Sequence, residues 1–494
     1  MYVWINIEKP EDYDALLNVG PSSDLNFAAV YELKEVARKL KTTLRPRVRK
    51  LLIELSYVDK DYRSTFYHFY AKKGRQYRGN SVRIHLFGAT VSFDADHLIL
   101  SRPGHDNPSD DYFGFITLRP TYKFTVGRSV VRPDAIEGAA GLALMSSYRV
   151  HVLGHELLAV GFPWMEQHSD IAVCAHVACW SILRHYANQV RKYREFLTHD
   201  ITRLAQAFDP GGLLPSLGLY VEHAERIFSE AGTYPLVISM PKDPTKQERK
   251  DFHRQLFAYL DSGFPLYVVI KDDPADHAVA AIGYRSNNSA VIPQTGIAYA
   301  ADMIEALILS DDNHMPYRDL RWKTFPGQSY RLDDVIAFIA PLPDKVFLPA
   351  EHVENLVPYI LNDLPLDELP DQDDLVLRYF VTTAALIHKQ MREAPSQFDP
   401  ELINEIMQLP MAQYVWVMEF ARKKDWPNSH ISGRAIIDAT AGVYEEDALW
   451  AIYDRKTALL FDRRGGGDPK TLSLNTPASA PYAKMIPNLD PIRV

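Results

Sequence analysis

The order of helical and strand-like segments predicts an α+β fold for this chain. Between residues 161 and 343 the helical patterns come first and the strand-like runs follow, an order typical of antiparallel sheets with separate helices. On either side of this stretch the two kinds of pattern are mixed. Because 494 residues are too many for one hydrophobic core, we predict three parts: an N-terminal mixed α+β domain (1–150), a central domain (151–343) and a C-terminal mixed helical and strand region (344–494).

The N-terminal part is predicted to begin with helices and to continue with strands. Apolar residues at helical spacing predict a helix from Asn26 to Lys41, and a second helical run after Pro46 extends through Leu55. The basic run Arg45–Lys50 is interpreted as a solvated helix face. Short runs rich in β-forming residues predict the strands Val82–Phe87, Gly88–Phe93, His97–Leu100, Tyr112–Pro120 and Val126–Pro133.

The central part is predicted to place helices ahead of an antiparallel sheet. The first helix contains Cys174 and continues to about Glu195, and a Gly- and Pro-rich break at Asp209–Gly218 separates it from a helix that ends near Gly232. A polar helix and a series of strands follow, at Thr245–Asp261, Leu266–Lys271, His277–Arg285 and Ala306–Ser310.

The C-terminal part is predicted to contain two helical runs and two strands. The helical runs are Ala350–Leu361 and Leu375–Glu393, and the strands are Tyr414–Phe420 and Gly433–Thr440. From Arg463 onwards, glycines and scattered prolines predict a partly loose tail.

Bulk composition excludes several classes of protein. A net charge of −9, from 54 basic and 63 acidic residues, argues against a nucleic-acid-binding surface, which needs clustered Lys and Arg. No apolar run approaches the length needed to span a bilayer, and the N-terminus lacks the basic start of a signal peptide. The two cysteines are badly placed on one predicted helix to form a disulfide with each other, so we expect free thiols in a reducing cytoplasm.

Four residues in chain order are candidates for thiol chemistry. A cysteine nucleophile needs a group that lowers its pKa, an imidazole held by an acid, and donors for the oxyanion. Cys174 lies near a helix start, with the amide of Gln167 just upstream. His277 opens a predicted strand, and Asp311 ends another, where a carboxylate can meet the ring.

These residues resemble the papain-like cysteine peptidase superfamily and, within it, the C39-like branch. The matching segments are Pro163-Trp-Met-Glu-Gln167, Cys174, Asp276-His277-Ala-Val-Ala-Ala-Ile-Gly283-Tyr284 and Leu309-Ser310-Asp311-Asp312. The resemblance covers about a third of the chain and implies a papain-like central domain, in which an N-terminal cysteine helix packs on an antiparallel sheet. It also implies that Cys174 is the nucleophile, His277 the base, Asp311 the orienting acid and Gln167 the oxyanion donor.

The chain departs from the family pattern at four positions. Ala175 and His176 follow the cysteine where the family has glycine and proline. Asp276 replaces the glycine before the histidine, and Asp312 replaces the proline after the acid. Asp311 and Asp312 therefore remain alternatives for the orienting acid.

The resemblance implies a thiol hydrolase that cleaves a peptide or isopeptide bond in a peptide or protein substrate, without a metal or an organic cofactor. A transglutaminase-like acyltransferase would use the same residues, and an inactive interaction module would keep only the fold. Cys179 is the less favoured nucleophile because Gln167 is too far upstream of it. A metal site at Cys174, His176 and Cys179 is disfavoured because these side chains do not converge on one helix face.

Overall fold

The computed structural model describes residues 2–18, 27–94, 99–102, 104, 108–121, 124–167, 173–205, 219–273, 275–287, 292–323, 330–343, 346–366, 368–442, 445, 448–463, 467–476 and 485–493, and in helix 27–43 and at residue 94 some side chains are not described. Helices and antiparallel sheets are mixed along the chain, as predicted at this coarse level. In these residues no helix combines the length and the apolar character that crossing a membrane requires.

An antiparallel sheet organises the first 164 residues. Its strands have the order β1-β2-β3-β6-β8-β12, with β7 beside β6, and two hairpins, β4–β5 and β10–β11, accompany it. The elements are β1 (Tyr2–Asn6), α1 (Phe27–Thr43), β2 (Lys50–Tyr57), α2 (Lys60–His68), β3 (Ser81–Phe87), β4 (Ser92–Asp94), β5 (Ile99–Ser101), β6 (Tyr112–Arg119), β7 (Thr125–Val126), β8 (Ser129–Val131), β9 (Leu142–Ala143), β10 (Ser146–Val152), β11 (His155–Gly161) and β12 (Pro163–Trp164).

The prediction of a second helix after Pro46 is wrong. Arg45 and Val48 close a turn, since the N–H of Val48 donates to the carbonyl of Arg45, and strand β2 begins at Lys50. The basic run Arg45–Lys50 is therefore not a helix face. β2 lies inside the sheet and buries Leu51, Leu52 and Ile53. These apolar residues follow one another directly, so the sequence lacks the apolar–polar alternation that distinguishes a strand from a helix.

A second antiparallel sheet forms the centre of the molecule. Neighbouring strands have the order β13-β19-β14-β15-β17-β18, and the short strand β9 also pairs with β15. The helices and strands in this stretch of the chain, of which β16 belongs to the third sheet, are α3 (Cys174–Gln189), α4 (Thr198–Ala205), α5 (Val221–Glu230), β13 (Tyr234–Ser239), α6 (Lys246–Asp261), β14 (Leu266–Ile270), β15 (His277–Ser286), β16 (Ala298–Tyr299), β17 (Ile304–Ser310), β18 (Arg318–Arg321) and β19 (Val335–Leu342).

Helix α3 packs against β15 and β14 of this sheet. Its residues from Ala175 to Tyr186 are all buried, so the helix is covered on every side rather than along one stripe. The helix ends at Gln189, earlier than the predicted Glu195. The predicted break at Asp209–Gly218 lies outside the described residues.

A third sheet lies in the C-terminal part, with the order β16-β20-β21-β22-β23-β24-β25. All its neighbouring strands are antiparallel except β16 and β20, which are parallel. The elements are α7 (Ala350–Glu354), α8 (Val357–Asn362), β20 (Leu375–Thr383), α9 (Ala384–Glu393), α10 (Pro400–Gln408), β21 (Tyr414–Arg422), β22 (Gly433–Asp438), β23 (Leu449–Tyr453), β24 (Thr457–Leu460), β25 (Lys470–Ser473) and β26 (Asp490–Pro491).

The predicted helix Leu375–Glu393 is wrong in its first half, which forms strand β20. That strand is buried on both faces and again gives a continuous apolar run. The tail after Arg463 contributes β25 to the third sheet and β26 to the second, where β26 pairs with β9. The central sheet therefore includes strands from before residue 151 and after residue 343.

Candidate active site

Cys174 is the first residue of helix α3. Val173 precedes it in an extended conformation and provides no side-chain cap. The first N–H groups of a helix have no acceptor within the helix, and the helix dipole places partial positive charge there. The half-buried thiol therefore lies beside the positive end of the helix dipole.

His277 is the first residue of β15, next to the packed face of α3. Its backbone pairs with Ile270 at the end of β14, and the side chain is mostly buried. The Nε2 atom lies 3.1 Å from Oδ1 of Asp311. The sheet register and the packing of α3 on β15 thus bring His277 to the side of the helix that begins with Cys174, about a hundred positions earlier in the chain.

The imidazole of His277 is held in its charged form. Burial alone would lower its pKa, but hydrogen bonds with Asp311 and Cys174 and the charges of Asp311 and Asp312 outweigh burial and raise the pKa to about 10. Nε2 faces Asp311, so Nδ1 is the ring nitrogen left for the thiol.

Asp311 and Asp312 follow β17 in a turn, and both point to the same ring. The Nε2 atom of His277 is 3.1 Å from Asp311 and 3.5 Å from Oδ1 of Asp312. Burial would raise the pKa of Asp311, but hydrogen bonding and the charge of His277 lower it overall, with help from the backbone N–H of Asn313. Asp311 is the nearer and the better hydrogen-bonded of the two acids.

The carboxyl group of Asp312 differs from that of Asp311. Burial first, and then the negative charge of Asp311, raise its pKa to about 7 in spite of the nearby His277. Neither of its oxygens makes a hydrogen bond in the part of the chain that the structure describes. Asp312 is thus a close neighbour of the ring without the contacts that fix Asp311.

Gln167 lies at the same end of the site, with its amide engaged by another residue. Its Nε2 donates to Oδ1 of Asn313 over 3.0 Å, and Nδ2 of Asn313 lies 3.4 Å from Nε2 of His277. This bond uses one of the two N–H donors of the Gln167 amide and leaves the other for the predicted oxyanion contact. The Trp164 indole, which donates to the backbone carbonyl of Asp311, holds the two segments together.

Asn313 and Tyr330 are site residues that the sequence did not indicate. The ring of Tyr330 stacks on His277, with centroids 5.6 Å apart and planes 24° from parallel. Its hydroxyl donates to Asp272, and this hydrogen bond holds the ring in position over the imidazole. The polar Asn313 follows the Asp-Asp pair and offered a weak signal, whereas Tyr330 lies in a distant loop and offered none.

Cys179 is a core residue. It is fully buried, and burial together with the negative charge available at Cys174 raises the pKa of its thiol far above the usual range. Among the described residues, the group with metal-ligand spacing is His277, Asp311 and Asp312 rather than Cys174, His176 and Cys179.

Comparisons with protein-family models, with curated proteins and with solved structures found no match for this chain. Its function is therefore inferred from the chemistry of the site.

Proposed function

We propose that this chain is a thiol hydrolase, a papain-like cysteine peptidase or isopeptidase acting on a peptide or protein substrate. The main support is the position of His277 between a thiol at a helix N-terminus and a buried carboxylate. A cysteine helix packed on an antiparallel sheet also agrees with the papain-like architecture that the sequence resemblance implies. Because the chemistry needs a reduced Cys174, we expect a reducing compartment such as the cytoplasm.

In the first half of the reaction Cys174 acts as nucleophile and His277 as general acid. The thiolate attacks the carbonyl carbon, and the carbonyl π electrons move to oxygen. The tetrahedral intermediate then collapses, its C–N bond breaks, and Nδ1 of His277 gives its proton to the leaving amine. Asp311 keeps the imidazole in one orientation and stabilises its charged form.

In the second half a water molecule releases the acyl group. Neutral His277 accepts a proton from the water, whose oxygen attacks the thioester carbon. The C–S bond breaks and regenerates the thiolate next to the imidazolium. The tight Asp311 contact serves both halves because the ring must return to the same position each time.

The oxyanion is stabilised by the first turn of α3 and by Gln167. The backbone N–H of Cys174 belongs to that turn, where N–H groups have no acceptor within the helix. The Gln167 amide would supply the second donor through the N–H that does not bind Asn313.

Selective alkylation tests the activated thiol directly. Protein carrying Cys179→Ala, which leaves one cysteine, is treated with iodoacetamide near neutral pH, and the adduct is mapped by mass spectrometry. We expect Cys174 to react faster than free cysteine under the same conditions, and replacement of His277 by alanine to remove that advantage. A Cys174 that reacts no faster than free cysteine would contradict the proposal.

A catalytically inactive binding module is the second candidate, favoured by the departures from the resembling family's pattern beside Cys174, His277 and Asp311. It predicts that Cys174→Ala leaves every biological effect of the protein unchanged. A transglutaminase-like acyltransferase differs from the hydrolase only in the acceptor, so products formed with and without an added amine separate these two.

A further inference from the structure

The carboxyl group of Asp312 presents an electrostatic problem. Its side chain is 1% exposed, and neither oxygen has a hydrogen-bond partner among the described residues. Asp311 and Asp312 share the single positive charge of the His277 ring, so one buried carboxylate of the pair lacks a counter-charge and is normally neutralised by a proton or by a further cation. Asp312 is the residue at which the sequence differs from the proline of the family it resembles, and here it is a buried acid.

Three ligand atoms surround the position that a cation would take. One atom each from His277, Asp311 and Asp312 lies within 4.8 Å of the other two. Nε2 of His277 is 3.1 Å from Asp311 and 3.5 Å from Asp312. Ligands bound to Zn²⁺ at about 2.0–2.1 Å in a tetrahedron are about 3.3 Å apart, so the two distances from His277 are close to those that such an ion requires.

The donor set indicates which kind of cation fits. One imidazole with two carboxylates suits Zn²⁺ and neighbouring transition metals, whereas Mg²⁺ and Ca²⁺ prefer oxygen ligands alone. His314, whose side chain is 46% exposed, lies 4.0 Å from Oδ2 of Asp311. It does not belong to the group of three residues whose ligand atoms all lie within 4.8 Å of one another.

We propose that His277, Asp311 and Asp312 bind a divalent transition-metal ion on the Nε2 side of the imidazole, away from Cys174. The ion displaces the Nε2 proton to solvent and leaves the hydrogen on Nδ1. A ring in that state cannot accept a proton from the thiol or from water. Binding itself does not depend on the proposed hydrolase activity, but its consequence, reversible inhibition of that activity, rests on the proposed function.

The test is made in full-length Cys174→Ala protein, so that a thiol cannot hold the metal. Zn²⁺ is titrated into chelator-treated protein and followed by calorimetry. We expect one site, with affinity reduced at least about tenfold by Asp312→Asn, since even lost outer-shell partners cost about 10- to 100-fold. Asp276→Asn, an exposed neighbour of His277, is the matched control and should bind Zn²⁺ normally.

Each alternative outcome is distinct. Equal affinity with and without Asp312→Asn would overturn the proposal and assign a proton, rather than a metal, to the buried carboxyl pair. Loss of binding in Cys174→Ala relative to the parent protein would also overturn it, by placing the ion on the sulfur side of the ring. Thermal unfolding of each variant checks folding, and a Co²⁺ spectrum of the parent protein without thiolate-to-metal charge transfer is expected.

Discussion

Arg378 is the centre of a buried ion network that ties the C-terminal part to the central sheet. Its guanidinium donates to both oxygens of Asp261 at 2.6 and 3.0 Å and to Glu419 at 2.8 Å. Tyr284, on the strand that begins with His277, donates to the same Asp261 carboxylate. Arg434 completes the pairing of Glu419.

Replacing Arg378 by alanine should lower the free energy of unfolding by about 3–5 kcal/mol. The reason is that Asp261 and Glu419 are both fully buried, and Arg434 neutralises only one of them. An exposed pair gives the contrast: Arg331 is 49% exposed and binds Asp334, and Arg331→Ala should lower the free energy of unfolding far less because water screens this pair.

Urea unfolding measured by tryptophan fluorescence and by far-ultraviolet circular dichroism provides the assay. We expect the unfolding midpoint of Arg378→Ala to shift to a lower urea concentration by the same amount with both probes, because the network joins two parts of one folded unit. A loss of unfolding free energy in Arg378→Ala no larger than that in Arg331→Ala would refute the view that this network holds unscreened charges.

Three further predictions concern the site and its surroundings. Asp311→Asn should slow alkylation of Cys174, because it removes the nearer of the two carboxylates that keep the His277 imidazole charged, whereas the exposed Asp276→Asn should not; equal rates would exclude Asp311 as the orienting acid. Tyr330→Ala should slow the same reaction about two- to tenfold, as expected for the loss of a ring contact of about 0.5–1.5 kcal/mol, with the exposed Tyr220→Ala as control. Burial lowers the pKa of His85 and His185 from 6.5 to about 4, so the unfolded chain binds protons first as pH falls and stability should drop between pH 6.5 and 4, by up to about 3 kcal/mol for each residue. Unfolding at pH 7.5 and pH 5 measures this drop, which His185→Gln should reduce and the exposed His151→Gln should leave unchanged.

The sequence predicted those elements whose ends carry a chemical signal. The predicted helix Thr245–Asp261 is confirmed as Lys246–Asp261, and a capping box between Thr245 and Glu248 closes its N-terminus. His277 opens a strand after a polar turn, as predicted, and Cys174 begins a helix. The catalytic roles assigned to these residues stay predictions.

The failures have a common physical cause. β2 and the first half of Leu375–Glu393 are strands buried on both faces, so neither has the alternation that separates a strand from a helix. The contacts of Gln167 with Asn313, and of Tyr330 with His277, depend on where loops meet in space. No local sequence pattern indicates which loops will lie next to each other in the folded protein.

The pH dependence of alkylation at Cys174 tests the central claim most directly. In Cys179→Ala protein, a thiolate paired with the His277 imidazolium should react with iodoacetamide well below pH 8.5, where an ordinary thiol is protonated. His277→Ala should return the profile to that of an ordinary thiol. If both proteins titrate alike near pH 8.5, the sulfur and the imidazole do not act as a pair, and the assignment of this site to thiol catalysis is wrong.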